Sequence, residues 1–154
     1  HGSPLHIKWS GSFYLNNPKM PSNMKLNAVI ERGQDGGFAI CVREMPWLLG
    51  YGKTESEARE DFNDVFKEQV DYFFEKHGKY PDWKNAEISF TYDLTAFFLA
   101  FPFINASEFA RFVGLNPSLM RKYKQGLASA SDKQLYIIQQ GLNKFVDHLK
   151  SVQF

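Results

Sequence analysis

The stretch GLNPSLMRKYKQG, residues 114–126, holds the residue types best suited to chemistry in this chain. Asn116 stands where a helix N-cap is needed, and Pro117 follows in the first turn, where a missing amide costs least. On a helix begun there, Met120 and Tyr123 turn inward with Leu119 beside them, leaving Ser118, Arg121, Lys122 and Gln125 outward with Lys124 alongside. Small hydroxyl, amide and guanidinium groups at the leading end of a helix fit a DNA major groove. There Arg reads guanine, and Ser or Gln bonds base edges. Lys122, Lys124 and the later Lys133 would instead hold phosphates. A basic run alone is usually a solvated face; here the Gly114-Leu115 turn, the cap and the inward positions together favour a helix-turn-helix.

A second constellation is acidic. Glu57, Asp61, Asp64, Glu68, Asp71 and Glu75 recur at i, i+4, i+7, i+11, i+14 and i+18, one stripe along a helix. Like charges at that spacing disfavour the helix by about 0.2–0.5 kcal/mol per neighbouring pair. The stripe reads either as a solubilising face or as a surface that steers a basic partner. Trp47 and Tyr51 lie with Leu48 and Leu49 in an apolar patch after Pro46, composed like core yet also a candidate partner contact.

Other chemistry finds little support. Metal-dependent nuclease action needs several converging carboxylates, and the strand segments offer Glu31, Asp35 in a turn and Glu44 near an end. Cys41 is the only cysteine and falls mid-strand, where an inert core thiol is expected. His77 and His148 show no metal-ligand spacing. Neither catalysis nor a cofactor is expected.

These groups must be positioned by elements that the pattern reveals. From Met24, Leu26, Ala28 and Ile30 alternate; GQDGG is a turn; Phe38, Ile40 and Val42 alternate again, predicting a hairpin. A third strand is predicted over Leu48 to Lys53. Thr54 and Glu57 form a capping box opening a helix whose apolar face is Ala58, Phe62, Val65, Phe66, Gln69 and Phe73, and Gly78 ends it. Ile88, Phe90 and Tyr92 mark a fourth strand, completing a β-β-β-α-β unit. Four helices then follow: LTAFFLAF, a second capped helix after Asn105, the basic helix, and a long run after Ser131 through Leu135, Ile138, Leu142, Phe145 and Leu149. The fold class is α+β: a sheet domain over residues 24–92 and an all-α domain over residues 93–154. Residues 1–23, rich in Gly, Pro, Ser and Asn, read as a leader or tag-derived arm.

A length of 154 residues accommodates one ordinary domain or two small ones. Net charge is +1, but residues 55–75 carry eight acids against two bases, and residues 105–154 seven bases against three acids. This bipolarity implies different partners for the two halves. The lone cysteine asks for no oxidising compartment, so a cytoplasmic protein is expected. No apolar run reaches the roughly 18–20 residues of a membrane span.

MKLNAVIERGQDGGFAICVREMPWLLGYGKTESEAREDF resembles the start of HicB antitoxins, whose small sheet domain is a truncated RNase H-like fold, and residues 105–126 are similar to the phage-repressor helix-turn-helix that many HicB proteins carry. The resemblance covers residues 24–154. It implies an antitoxin that masks a HicA-like mRNA-cleaving toxin and, as a homodimer or higher homo-oligomer, represses its own operon by binding double-stranded operator DNA. Two other readings remain open on the residues: a stand-alone regulator whose sheet domain senses a ligand or oligomerises, and a divergent nuclease.

Overall fold

The computed structural model describes residues 24 to 154; the expected arm over residues 1–23 lies outside them. The fold is α+β, with one compact unit ending at Asp93 and another beginning at Leu94. Asp93 belongs to the sheet rather than opening the helical segment, because its amide donates to Ile30 O at 2.9 Å and continues the strand ladder.

In the first unit, strands β1 (Lys25–Arg32), β2 (Phe38–Val42) and β3 (Met45–Gly52) precede helix α1 (Glu55–His77) and strand β4 (Glu87–Tyr92). The sheet order is β3-β2-β1-β4. β1 pairs antiparallel with β2, β2 antiparallel with β3, and β4 parallel with β1. The β1–β2 turn closes through Gly33 N to Gly37 O at 2.6 Å, and Gly36 takes φ 87°, a backbone state that L side chains rarely adopt.

Alternation places Leu26, Ala28, Ile30, Phe38, Ile40 and Val42 on the buried face. Against it α1 lays Ala58, Phe62, Val65, Gln69 and Phe73, all buried. Thr54 Oγ1 accepts the Glu57 amide at the start of α1, and Gly78 at φ 67° ends it. Trp83, from the connector after α1, packs edge-on against Phe66 and Phe73.

β3 departs from the expected Leu48 to Lys53: it begins at Met45 and ends at Gly52. Pro46 is tolerated because β3 is an edge strand. The register jumps from Cys41↔Leu49 to Val42↔Met45, so Pro46, Trp47 and Leu48 oppose no β2 residue, and this bulge lets consecutive Trp47 and Leu48 both bury. Farther along, α1 runs hard against the strand: a Cβ at Gly50 would sit 2.6 Å from Phe62 Cβ, and one at Gly52 would be 2.5 Å from Glu57 Cβ.

The second unit holds α2 (Leu94–Ala100), α3 (Ala106–Val113), α4 (Pro117–Gln125) and α5 (Asp132–Lys150). Its core comprises Ala96, Phe97, Phe98, Ala106, Phe109, Ala110, Met120, Tyr123 and Ile138. α3 packs on α4, α2 on α4, and α5 on α3. α5 seats Gly141 directly on Val113. Of its expected apolar face only Ile138 is buried; Leu142 and Phe145 are half-buried, Leu135 and Leu149 exposed. Among the described residues, no helix is long and apolar enough to cross a membrane.

Candidate nucleic-acid interface

α3 ends at Gly114, which takes φ 86° and donates to Ala110 O at 2.9 Å; the Leu115 amide reaches the same carbonyl at 2.9 Å. The chain turns and restarts at once, because Asn116 Oδ1 accepts the Leu119 amide at 3.1 Å and Pro117 supplies the first helical position. Asn116 is exposed with its Oδ1 occupied as a cap, and Pro117 is half-buried.

Met120 and Tyr123 anchor α4 from below, fully and almost fully buried. The Tyr123 hydroxyl donates to Gln134 Oε1 at 2.5 Å, and Gln134 belongs to the capping box that Ser131 forms at the start of α5. This chain of bonds fixes the rotation of α4 about its axis. Ser118, Arg121, Lys122, Lys124 and Gln125 are therefore exposed, and so is Lys133 in the first turn of α5.

The Arg121 guanidinium is held in place. Its Nη1 donates to Ser107 Oγ at 2.7 Å and its Nη2 to Ser118 Oγ at 2.9 Å. Two donors on a planar fork are thereby directed, and the remaining N–H groups face solvent with their orientation set. Ser107, in the first turn of α3, is a member of this group that the sequence did not reveal: it lies fourteen residues from Arg121, and only the fold of the turn brings the two together. Lys124 Nζ lies 5.9 Å from the Phe98 ring. Arg121, Lys122 and Lys124 enter no ion pair among the described residues, and α4 contains no acid. The surface is a compact cationic ridge with a small polar leading end.

Two members of the acidic stripe are engaged by the backbone of the neighbouring strand and its exit. Asp61 Oδ2 accepts the Tyr51 amide at 2.8 Å, and Glu57 Oε2 accepts the Lys53 amide at 2.9 Å. These two carboxylates cap the outer edge of β3 and its exit. Asp64, Glu68, Asp71 and Glu75 are exposed and form no ion pair among the described residues. Trp47, composed like core and also a candidate partner contact, is 6% exposed and belongs to the core, since the β3 bulge turns it inward. Tyr51 is exposed, on the face of the sheet away from α1.

Cys41 departs from its expected place in the core. It lies half-buried on that same outer face, because its neighbours Ile40 and Val42 occupy the inner one. Burial, followed by the charges of Glu31 and Asp93, pushes its thiol up, which suppresses the nucleophilic thiolate. Glu31 is also raised, first by burial and then by Asp93; the Cys41 thiol donates to it and acts the other way. Asp93, which follows the Ile30↔Tyr92 pair, is the carboxylate that sequence reading did not place beside Glu31, whereas Asp35 and Glu44 are exposed. Among the described residues, no group of three or more His, Cys, Asp or Glu side chains is placed to hold a metal ion. His77 packs on Phe73 with ring centroids 4.4 Å apart, and His148 is exposed.

Compared with known proteins, the chain matches no family model, no curated protein and no solved structure.

Proposed function

We propose that the chain is a DNA-binding autorepressor and antitoxin of the HicB type, acting in the cytoplasm by binding rather than by turnover. The helical unit reads double-stranded operator DNA through α4, and the sheet unit binds and neutralises a small basic HicA-like toxin. The observation that carries the reading is the fixed Arg121 fork between Ser107 and Ser118 at the leading end of a cationic helix. A guanidinium whose direction is already set loses less side-chain entropy on meeting a guanine edge than a wandering one. Lys122, Lys124 and Lys133 are exposed, with charges available to phosphates.

For the sheet unit, support comes from the resemblance of residues 24–62 and from the exposed acids Asp64, Glu68, Asp71 and Glu75, which suit a basic RNA-binding partner. The test has two arms. Fluorescence anisotropy should show tighter binding to the DNA upstream of the gene than to a scrambled duplex of equal length. Co-expression with the product of an adjoining small basic reading frame should give a stable complex and restore growth. Equal affinity for both duplexes would remove the operator-reading role, and failure to retain the neighbouring product would remove the antitoxin role.

A further inference from the structure

The two edges of the sheet are unlike. On the β3 edge, the amides of Tyr51 and Lys53 are bonded by Asp61 and Glu57, Pro46 removes another donor, and the register is broken by a bulge. Such devices keep an edge from pairing with another chain. The other edge, β4, has none of them. Its sequence EISFTY contains no Lys or Pro, and its register with β1 runs unbroken from Lys25↔Glu87 to Ile30↔Tyr92.

The hydrogen-bond direction of β4 is fixed by its ends: the Glu87 amide donates to Met24 O at 2.8 Å and the Asp93 amide to Ile30 O at 2.9 Å. Odd-numbered residues therefore bond to β1, and the N–H and C=O groups of Ile88 and Phe90 point outward, meeting no strand among the described residues. We propose that this edge pairs with the same edge of a second copy, antiparallel, with Ser89 opposite Ser89 on the two-fold axis.

The occupant follows from charge and closure. In that register Ile88 faces Phe90 of the partner copy and Glu87 faces Thr91, so no like charges oppose. Moving the centre to Phe90 would set Glu87 against Asp93. Ile88 and Phe90, half-buried in one copy, would extend the apolar layer across the junction, beside Phe62 and the Arg59 guanidinium that already cover Phe90. Because the β3 edge is capped, pairing stops at two copies and gives a closed, isologous assembly rather than a fibre. A two-fold assembly is also what paired operator half-sites require. That use rests on the regulator reading, whereas the pairing itself is testable without DNA.

The test uses the full chain. Ser89 is exposed on the outer face, and opposite residues at a non-hydrogen-bonded antiparallel position lie about 4.5 Å apart at Cα, within disulfide reach. Ser89→Cys should form a covalent dimer under mild oxidation, while Thr91→Cys, which would face Glu87, should not. Ser89→Lys sets two ammonium groups against each other and should halve the mass measured by light scattering, with circular dichroism unchanged. Hydrogen exchange at the Ile88 and Phe90 amides should slow as protein concentration rises. A mass of 17.8 kDa at all concentrations, a Ser89→Lys variant of unchanged mass, or cross-linking equal at both cysteines would overturn the proposal. Protection of Ile88 and Phe90 only on addition of a different protein would do so too, assigning the edge to that protein's strand.

Discussion

Asp61 reaches across from α1 to accept the backbone amide of Tyr51 on β3 at 2.8 Å. This carboxylate fastens the helix to the strand it covers and keeps a strand edge from pairing elsewhere. Asp61→Ala should therefore lower unfolding free energy by about 1 kcal/mol, the usual net worth of such a bond. Asp64→Ala, one turn away and exposed, should stay within about 0.5 kcal/mol. Urea titration of both variants measures the difference. Equal midpoints would mean the Asp61 bond contributes nothing to folding.

The remaining acids then carry any steering of a basic partner. If the sheet unit binds a basic toxin as proposed, reversing Asp64, Glu68 and Asp71 to Lys should slow that association and weaken the salt dependence of its rate, while folding stability changes little. Stopped-flow titration at several salt concentrations gives both quantities. An unchanged rate and salt slope would leave those residues as a solvated face.

Gly50 and Gly52 admit α1 to within van der Waals contact of β3. A methyl group at Gly50 would meet Phe62 Cβ at 2.6 Å and Ala58 O at 2.7 Å, and the latter is backbone, which cannot swing aside. Gly50→Ala should destabilise by about 1–3 kcal/mol through forced separation of helix and strand. Gly36→Ala would meet no neighbour and would be strained only by its φ of 87°. Thermal melts of Gly50→Ala are the check, and a wild-type melting temperature would show that the seam can widen without penalty.

Glu31 supplies a pH dependence with a definite sign. Its carboxyl is raised by burial first and by the Asp93 charge second, so the folded chain holds that proton more tightly than the unfolded chain. The resulting stability is complete below the ordinary carboxylate pKa and is lost as pH rises through the raised folded value. Glu31→Gln should remove this decline and leave the protein more stable than wild type at neutral pH. Urea midpoints measured from acid to neutral pH decide it; parallel profiles for the two proteins would rule the effect out.

Much of the fold was legible because it depends on periodicity. The alternation of Leu26, Ala28 and Ile30, the helical spacing of Phe62, Val65, Gln69 and Phe73, and the caps Thr54, Asn105, Asn116 and Ser131 are local signals, and each lies where its pattern requires. What was illegible depends on which elements become neighbours. No local rule shows that Asp61 meets the Tyr51 amide, that Ser107 meets Arg121, or that a bulge buries Trp47 and Leu48 together. The α5 pattern misled for the same reason. Its apolar spacing continues to Leu149, but α3 meets it at Gly141 and Phe145, through Val113 and Phe112, leaving Leu135 and Leu149 exposed.

If the chain binds DNA as proposed, the Arg121 fork separates base reading from charge in a way that binding can measure. If Arg121 reads a guanine, Arg121→Ala should cost about 1–3 kcal/mol on the preferred operator and much less on random duplex. Lys124→Ala should weaken both about equally and make the slope of log affinity against log salt shallower by about one unit. Ser107 lies on α3 and holds Arg121 Nη1 at 2.7 Å, so Ser107→Ala should leave the salt slope unchanged while loosening discrimination at the same base position that Arg121→Ala affects. Ser107→Thr keeps the hydroxyl and should restore it. Anisotropy titrations on the operator, on single-base variants and on a scrambled duplex, repeated across a salt series, distinguish these effects. Equal losses on operator and scrambled DNA for Arg121→Ala would make the residue a phosphate clamp, with base reading left to Ser118 and Gln125 on the same exposed face.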